Sequence, residues 1–237
     1  MTHSLCTYSG TELDAMAEAR NYYAWILEQF APHLGTRTIE VGAGIGTFSD
    51  FLAATNLLEL TLIEPAENLL PFLRGKFAAD PRVKVMSGYL EDNAPSPSVD
   101  SVIAINVLEH VEDDVRFLKQ SRRRLRAGGA LLLFTPAVSK LYGSLDKAFG
   151  HYRRYSKRDL ENKIRDAGFE PERIRYFNLP GVLAWFLAGR VFQRKTIRPR
   201  DARLYDRWVV PWVSRLETLW APPVGQSLMA IATNRSE

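Results

Sequence analysis

The stretch Thr38 to Phe51, TIEVGAGIGTFSDF, constrains what this chain can fold into more than any other. A β-branched run (Thr38, Ile39, Val41) yields to glycines at 42, 44 and 46 and then to an apolar helical pattern (Phe48, Phe51, Leu52). It reads as a strand, a tight turn and the opening of a helix. Gly42 permits the sharp bend, Gly44 lets a ligand approach bare backbone, and Gly46 lets the helix pack close to the strand. Glu40 stands just ahead of the first glycine. A dinucleotide site has no need of a carboxylate beside a pyrophosphate, whereas a ligand bearing an ammonium and a sulfonium gains one, so the turn favours a cationic ligand.

Further signals follow in order. A second strand, Leu58 to Glu64, ends in an acid 22 positions after Gly42, the spacing at which a strand-end carboxylate can accept both hydroxyls of a ribose. NVLEHV follows at Asn106 to Val111, and GGALLLFTP at Gly128 to Pro136. Together, over roughly residues 36 to 178, these motifs resemble the class I S-adenosylmethionine-dependent methyltransferases. The resemblance implies a Rossmann-like α/β fold: a seven-stranded, mostly parallel sheet with one antiparallel strand near an edge, helices on both faces, and S-adenosylmethionine as cofactor. It also implies a cofactor set of Tyr22, Glu40, Gly42, Ala43, Gly44, Gly46, Glu64, Pro65, Tyr89, Leu90, Asn106 and Leu108. In family terms Asn106 lies beside the methionine part and Leu108 near the adenine.

Taken along the chain, residues 11 to 34 read as one amphipathic helix with Thr11 as N-cap, covering the open end of the site. Relatives use such a helix to set aromatics over the cofactor, which singles out Tyr22, Tyr23 and Trp25; docking the helix on the core is the alternative. Strand one (Arg37 to Val41) is followed by a helix to about Ala54. A helix from Ala66 to about Ala79 follows strand two, and strand three is Arg82 to Ser87. The family's Gly-Asp after strand three is Gly88-Tyr89 here, so the adenine contact falls to Tyr89, the Leu90 amide, Glu91 or Asp92. Ala94 to Ser98 is a loop, and strand four, Val99 to Ile105, is an apolar run suited to a buried central strand. The helix Glu112 to Leu125 opens on acids and closes on arginines, matching its dipole, with Gly128 as C-cap. Strand five is Ala130 to Thr135. Some relatives bind a divalent metal through E-x-x-E-H, but Asn106 stands where the first glutamate would be. Glu109 and His110, joined by His151, are therefore the lesser reading beside a hydrogen-bonded structural His110, and no metal is assigned.

From Ala137 to Ser156 runs a loop where the family places its acceptor lid. His151 is the candidate catalytic base, because imidazole accepts protons near neutrality. Arg153 and Arg154 could grip an anion, or simply pair with Asp146 or Asp159. The substrate set is completed by Tyr23, Trp25, His110, Tyr142, Tyr152, Asn178 and Trp185. Ser156 caps a helix, Lys157 to Ala167, which stops at Gly168; strand six is Phe169 to Asn178, and the final strand is Ser227 to Thr233. Residues 1–178 and 227–237 thus form the cofactor-binding core, and 179–226 a helical insertion. Three uses of the insertion compete: a cap over an apolar acceptor, which is preferred, a homodimer interface, and a helix pair lying on a membrane surface.

Composition narrows the class. Residues 1–139 carry 12 Lys or Arg against 17 Asp or Glu, whereas residues 140–237 carry 19 against 10, so the basic half is expected to meet the acceptor. The N-terminus lacks a signal-peptide pattern and no apolar run spans a bilayer, giving a cytoplasmic expectation. The single cysteine, Cys6, excludes an intrachain disulfide and a Cys-rich metal site. The expected activity is O-methylation of a hydroxyl or carboxylate on a small, anionic, partly apolar metabolite. N-methylation of a small amine, nucleic-acid methylation, which the Thr135-Pro136 ending disfavours, and a catalytically silent cofactor-binding subunit are the alternatives.

Overall fold

The computed structural model describes residues 7–8, 12–91 and 99–235; Cys6, Thr11, Asp92 and the loop 94–98 lie outside the described residues. The chain opens with α1 (Glu12–Ala17) and α2 (Arg20–Phe30). The first βαβ unit follows as β1 (Arg37–Val41), α3 (Thr47–Ala53) and β2 (Glu59–Glu64), and then α4 (Leu70–Phe77), β3 (Val83–Ser87) and β4 (Val99–Ile105). After it come α5 (Asp114–Arg124), β5 (Leu125–Pro136), α6 (Ser144–Ala148), α7 (Lys157–Asp166) and β6 (Glu170–Phe177). The chain finishes with α8 (Leu179–Phe186), α9 (Pro199–Trp208), α10 (Val210–Leu219) and β7 (Ser227–Thr233).

The sheet has seven strands in the order β3-β2-β1-β4-β5-β7-β6. β1 to β5 run parallel, and β7 pairs antiparallel with both β5 and β6. Side chains alternate across it as the pleat requires. Leu132, Phe134, Met229 and Ile231 join a core with α2 and α3, while Leu131, Leu133, Leu228 and Ala230 join a second core with α5 and α7. Strand order reverses between β1 and β4, so their carboxyl ends open the crevice in which such sheets bind ligands.

Several expectations need correction. Residues 11–34 are two helices, because the Asp206 carboxylate, 185 positions away, accepts the amides of Asn21 (3.0 Å) and Tyr22 (2.8 Å) and starts a new helix there. Gly128 is no helix cap but lies within β5, which begins at Leu125. The Asn234 side-chain amide satisfies the Leu125 carbonyl instead (2.9 Å). The span 137–156 is partly helical, holding α6, and Tyr155 is fully buried. Gly46 sits at φ 75°, where an added Cβ would meet Leu73 and Phe77 at 2.9 Å, so it admits α4 rather than the strand.

Candidate active site

One cavity of about 810 Å³ runs across the carboxyl ends of β1, β2, β4 and β5 and is walled on its far side by α1, α2 and residues 178–210. At its first end lies the glycine turn. Gly42, Gly44 and Gly46 all hold positive φ, and a Cβ on Gly42 would strike Val107 at 2.5 Å, so only glycine lets β1 turn beneath that side chain. The Glu64 carboxylate, at the end of β2, accepts the amides of Gly44 (2.7 Å) and Ala66 (2.8 Å). Each oxygen takes one donor and retains capacity for another. Burial raises the Glu64 pKa despite these two bonds.

Glu40 is buried beneath the turn, where Ser49 Oγ donates to it at 2.5 Å. Burial pushes its carboxyl up to about 8, against the Ser49 bond that lowers it, with the neighbouring charge of Glu64 adding to the rise. Tyr22 and Tyr23 of α2 line the cavity, with Tyr22 held edge-on to Phe134 and Phe177 at 5.8 Å. Asn106 reaches it through a left-handed backbone (φ 53°) tied by its amide to the Phe134 carbonyl at 2.7 Å.

The other end is acidic and imidazole-rich. Glu109 is fully buried; Thr135 Oγ1 donates to its Oε2 at 3.1 Å, and its Oε1 has no partner among the described residues. Burial holds the Glu109 carboxyl at about 7, while His151 and the Thr135 hydroxyl pull it down. His110 packs edge-on against His151 at 4.7 Å, and burial first, then that neighbour, lowers its pKa to about 4, so it is neutral. His151 Nδ1 lies 2.9 Å from Asp146 Oδ1. Asp146 is the hub of this end: Arg154 Nε (2.6 Å), the Gly143 amide (2.9 Å) and Trp185 Nε1 (3.3 Å) also donate to it. Burial opposes its charge, but the bonds from His151 and Arg154 keep it below the ordinary carboxylate range. Glu12, on α1, lines the same cavity with Oε2 unpartnered among the described residues, and burial raises its pKa. Glu109, His110 and His151 offer ligand atoms within 4.8 Å of one another, close enough to hold a divalent cation.

Of the residues singled out in the sequence, the cavity gathers Tyr22, Tyr23, Glu40, Gly42, Ala43, Gly44, Glu64, Pro65, Tyr89, Asn106, Glu109, His110, His151, Asn178 and Trp185. It does not gather the rest. Trp25 stacks on Phe177 (3.6 Å between ring centroids) and docks α2 on the core, while Leu90 and Leu108 are buried in the second core. Gly46 faces α4. Tyr142 donates to the His151 carbonyl (2.7 Å), and Tyr152 is exposed. The two arginines expected to grip an anion pair within the protein, although Arg154 Nη2 is buried without a hydrogen-bond partner among the described residues. Arg153 donates to Asp114 (2.8 Å) and the Glu112 carbonyl (2.7 Å), and Arg154 to Asp146 and the Ala137 carbonyl (2.9 Å). Sequence reasoning missed the unpartnered oxygens of Glu12 and Glu109 and the hub role of Asp146. A helix-opening acid and a lid acid carry no signal of their contacts, although Asp146 was visible as a partner for an arginine.

Comparison with known proteins agrees with this geometry. The fold matches that of an S-adenosylmethionine-dependent methyltransferase from Mesorhizobium loti, with a TM-score of 0.64 and 17% identity over 91% of this chain and 98% of that one. Residues 39–131 match the sequence model of a family described as a methyltransferase domain. A probable S-adenosylmethionine-dependent methyltransferase of Mycobacterium tuberculosis is 29% identical over 148 residues, covering 61% of this chain and 53% of that protein. These findings support a class I S-adenosylmethionine-dependent methyltransferase. The ubiquinone biosynthesis O-methyltransferase of Xanthomonas axonopodis pv. citri is 29% identical over 158 residues, 59% of this chain and 65% of that relative. The chain therefore spans about half to two-thirds of the length of these curated relatives.

The residues of this methyltransferase fit the family's cofactor, S-adenosylmethionine. Glu64 has acceptor capacity for hydroxyls, and Glu40 is a buried carboxylate without a cationic hydrogen-bond partner, which a ligand cation would supply. Glu40, Gly44, Glu64, Tyr22 and Asn106 would hold it.

Proposed function

We propose that this methyltransferase methylates a hydroxyl oxygen of a small, partly apolar acceptor. The observation that carries the reading is the buried Asp146–His151 pair at the cavity's acidic end. A carboxylate only accepts, so Nδ1 of His151 is the donor and Nε2 of the neutral ring is left as the proton acceptor. Bound S-adenosylmethionine supplies an electrophilic methyl group on a positive sulfur. His151 takes the hydroxyl proton as the oxygen becomes nucleophilic, and Asp146 and Glu109 stabilise the imidazolium that results. Phe134, Phe149 and Trp185 give the cavity apolar walls, which would limit water around the transfer.

Arg153 pairs with Asp114 and Arg154 with Asp146, and neither lines the cavity, so a neutral hydroxyl compound is preferred here over a carboxylate. The unpartnered oxygens of Glu12 and Glu109 support a second reading, N-methylation of a small amine, because both would pair with an ammonium. The test is transfer of labelled methyl from S-adenosylmethionine to fractionated alcohols and phenols, acids, amines and RNA, with His151→Ala alongside. Label in hydroxyl compounds, lost in the variant, supports the proposal. Label confined to amines supports the second reading, and tight cofactor binding with no label in any fraction supports a silent subunit.

A further inference from the structure

The outward face of the 179–226 insertion is unlike the rest of the surface. Among the described residues, eleven of the fourteen exposed large hydrophobics fall between Leu183 and Trp220. α9 and α10 are nearly continuous, with Val209 helical between them and Pro211 at the start of α10. Their inward stripe is Asp206, Val210, Val213 and Glu217, all buried. Their outward stripe, Leu204, Trp208, Trp212, Leu216 and Trp220, recurs every four residues; Trp208 is 63% exposed, Trp212 65% and the adjoining Leu219 87%. A surface helix ordinarily turns polar residues outward. α8 departs further, since Gly181, Ala184 and Trp185 face the cavity while Leu183 and Phe186 face outward, making it apolar on both sides. Helices apolar all round belong in a protein core or against lipid.

Charge selects among occupants. Residues 179–226 hold eight Lys or Arg against three acids. Two of those acids are turned inward: Asp206 binds the amides of α2, and Glu217 binds those of Asn178 (3.0 Å) and Leu179 (2.8 Å). The outer surface therefore presents arginines among tryptophans, with Arg207 over Trp208 (5.2 Å) and Arg215 over Trp212 (5.9 Å). A two-fold homodimer through this patch would set like charge against like charge, since each copy presents the same surface. Nucleic acid would attract the arginines but gain little from Leu216, Leu219 or Leu183. Anionic lipid answers both features: headgroups meet the arginines, and tryptophan and leucine side chains enter the acyl boundary.

We propose that α8, α9 and α10 form a docking surface for an anionic lipid bilayer. No described helix is long and apolar enough to cross a membrane, so the chain would lie on the bilayer rather than span it. Docking does not depend on the acceptor or on methyl transfer.

The experiment is co-sedimentation of the full chain with vesicles of phosphatidylcholine alone or mixed with phosphatidylglycerol, at low and high salt. Binding should require phosphatidylglycerol and weaken with salt. Trp208→Ser, Trp212→Ser and Leu219→Ser combined should lower the partition coefficient by about tenfold or more, with calorimetric binding of S-adenosylmethionine unchanged. Arg207→Gln and Arg215→Gln should each cost about fivefold. Failure to sediment with anionic vesicles at low salt overturns the proposal, as does binding that the variants leave intact. A stable dimer in sedimentation equilibrium that the same variants dissociate overturns it in favour of self-association. These outcomes are independent of the methyl-transfer assay, so failure of either reading leaves the other standing.

Discussion

Binding of S-adenosylmethionine should release a proton from this protein, and Glu40→Gln should abolish that release. Glu40 is buried and its carboxyl is held at about 8, so at pH 7 about nine-tenths of ligand-free molecules carry it protonated. A sulfonium or ammonium beside it favours the ionised form, and the proton leaves as the ligand enters. Ionising a group one unit above the ambient pH costs about 1.4 kcal/mol, so affinity should rise about fivefold between pH 7 and 8 and approach a plateau roughly tenfold above its pH 7 value beyond about pH 9. The folded pKa lies above the ordinary carboxylate value of 4.5. Glu40 therefore favours the ligand-free fold fully only below about pH 4.5, and that contribution, on the order of 5 kcal/mol, is lost as pH rises toward 8. Calorimetric titration at pH 7 in buffers of different ionisation enthalpy counts the protons directly. The unmodified chain should release close to one proton for each ligand bound, and the Glu40→Gln variant close to none. Equal proton counts in the two proteins would refute the placement of a cation beside Glu40.

Other substitutions test the rest of the site. Glu64→Ala should weaken cofactor binding by about 1–3 kcal/mol in the same calorimeter, because ligand hydroxyls lose their acceptor. His151→Ala should lower turnover about a hundredfold with cofactor affinity intact, and the missing limb of the pH–rate profile should identify it as the base. Asp146→Asn should cost on the order of 3–5 kcal/mol in urea unfolding, since it leaves the Arg154 guanidinium buried opposite a neutral amide. Trp25→Ala should destabilise by about 3–5 kcal/mol through the lost stack on Phe177, with the cofactor site affected only through folding.

Much of the frame was legible because it depends on local pattern. The β-branched run, three glycines and an apolar helical period specify strand, turn and helix wherever they occur, and the apolar run 99–105 needs two covered faces. β4 and β7 accordingly begin and end where the sequence puts them. The gathering of Glu40, Gly42 and Glu64 at one end of the cavity followed, since they are fixed by strand ends that the pattern locates. The acceptor end was not legible in the same way. Asp206 breaks the first helix from 185 positions away, Asn234 closes α5 from more than 100, and Asp146 decides what Arg154 and His151 can do.

What the sequence by itself determined is the βα frame and the chemistry that its strand ends offer, because backbone propensity and hydrophobic period act over neighbouring residues. What only the tertiary structure decided is where the charges are spent. Whether Arg154 grips a ligand or an aspartate, and whether Trp25 meets substrate or Phe177, turns on which partners the packed chain brings within a few ångströms, and a buried charge takes the partner that compensates it there.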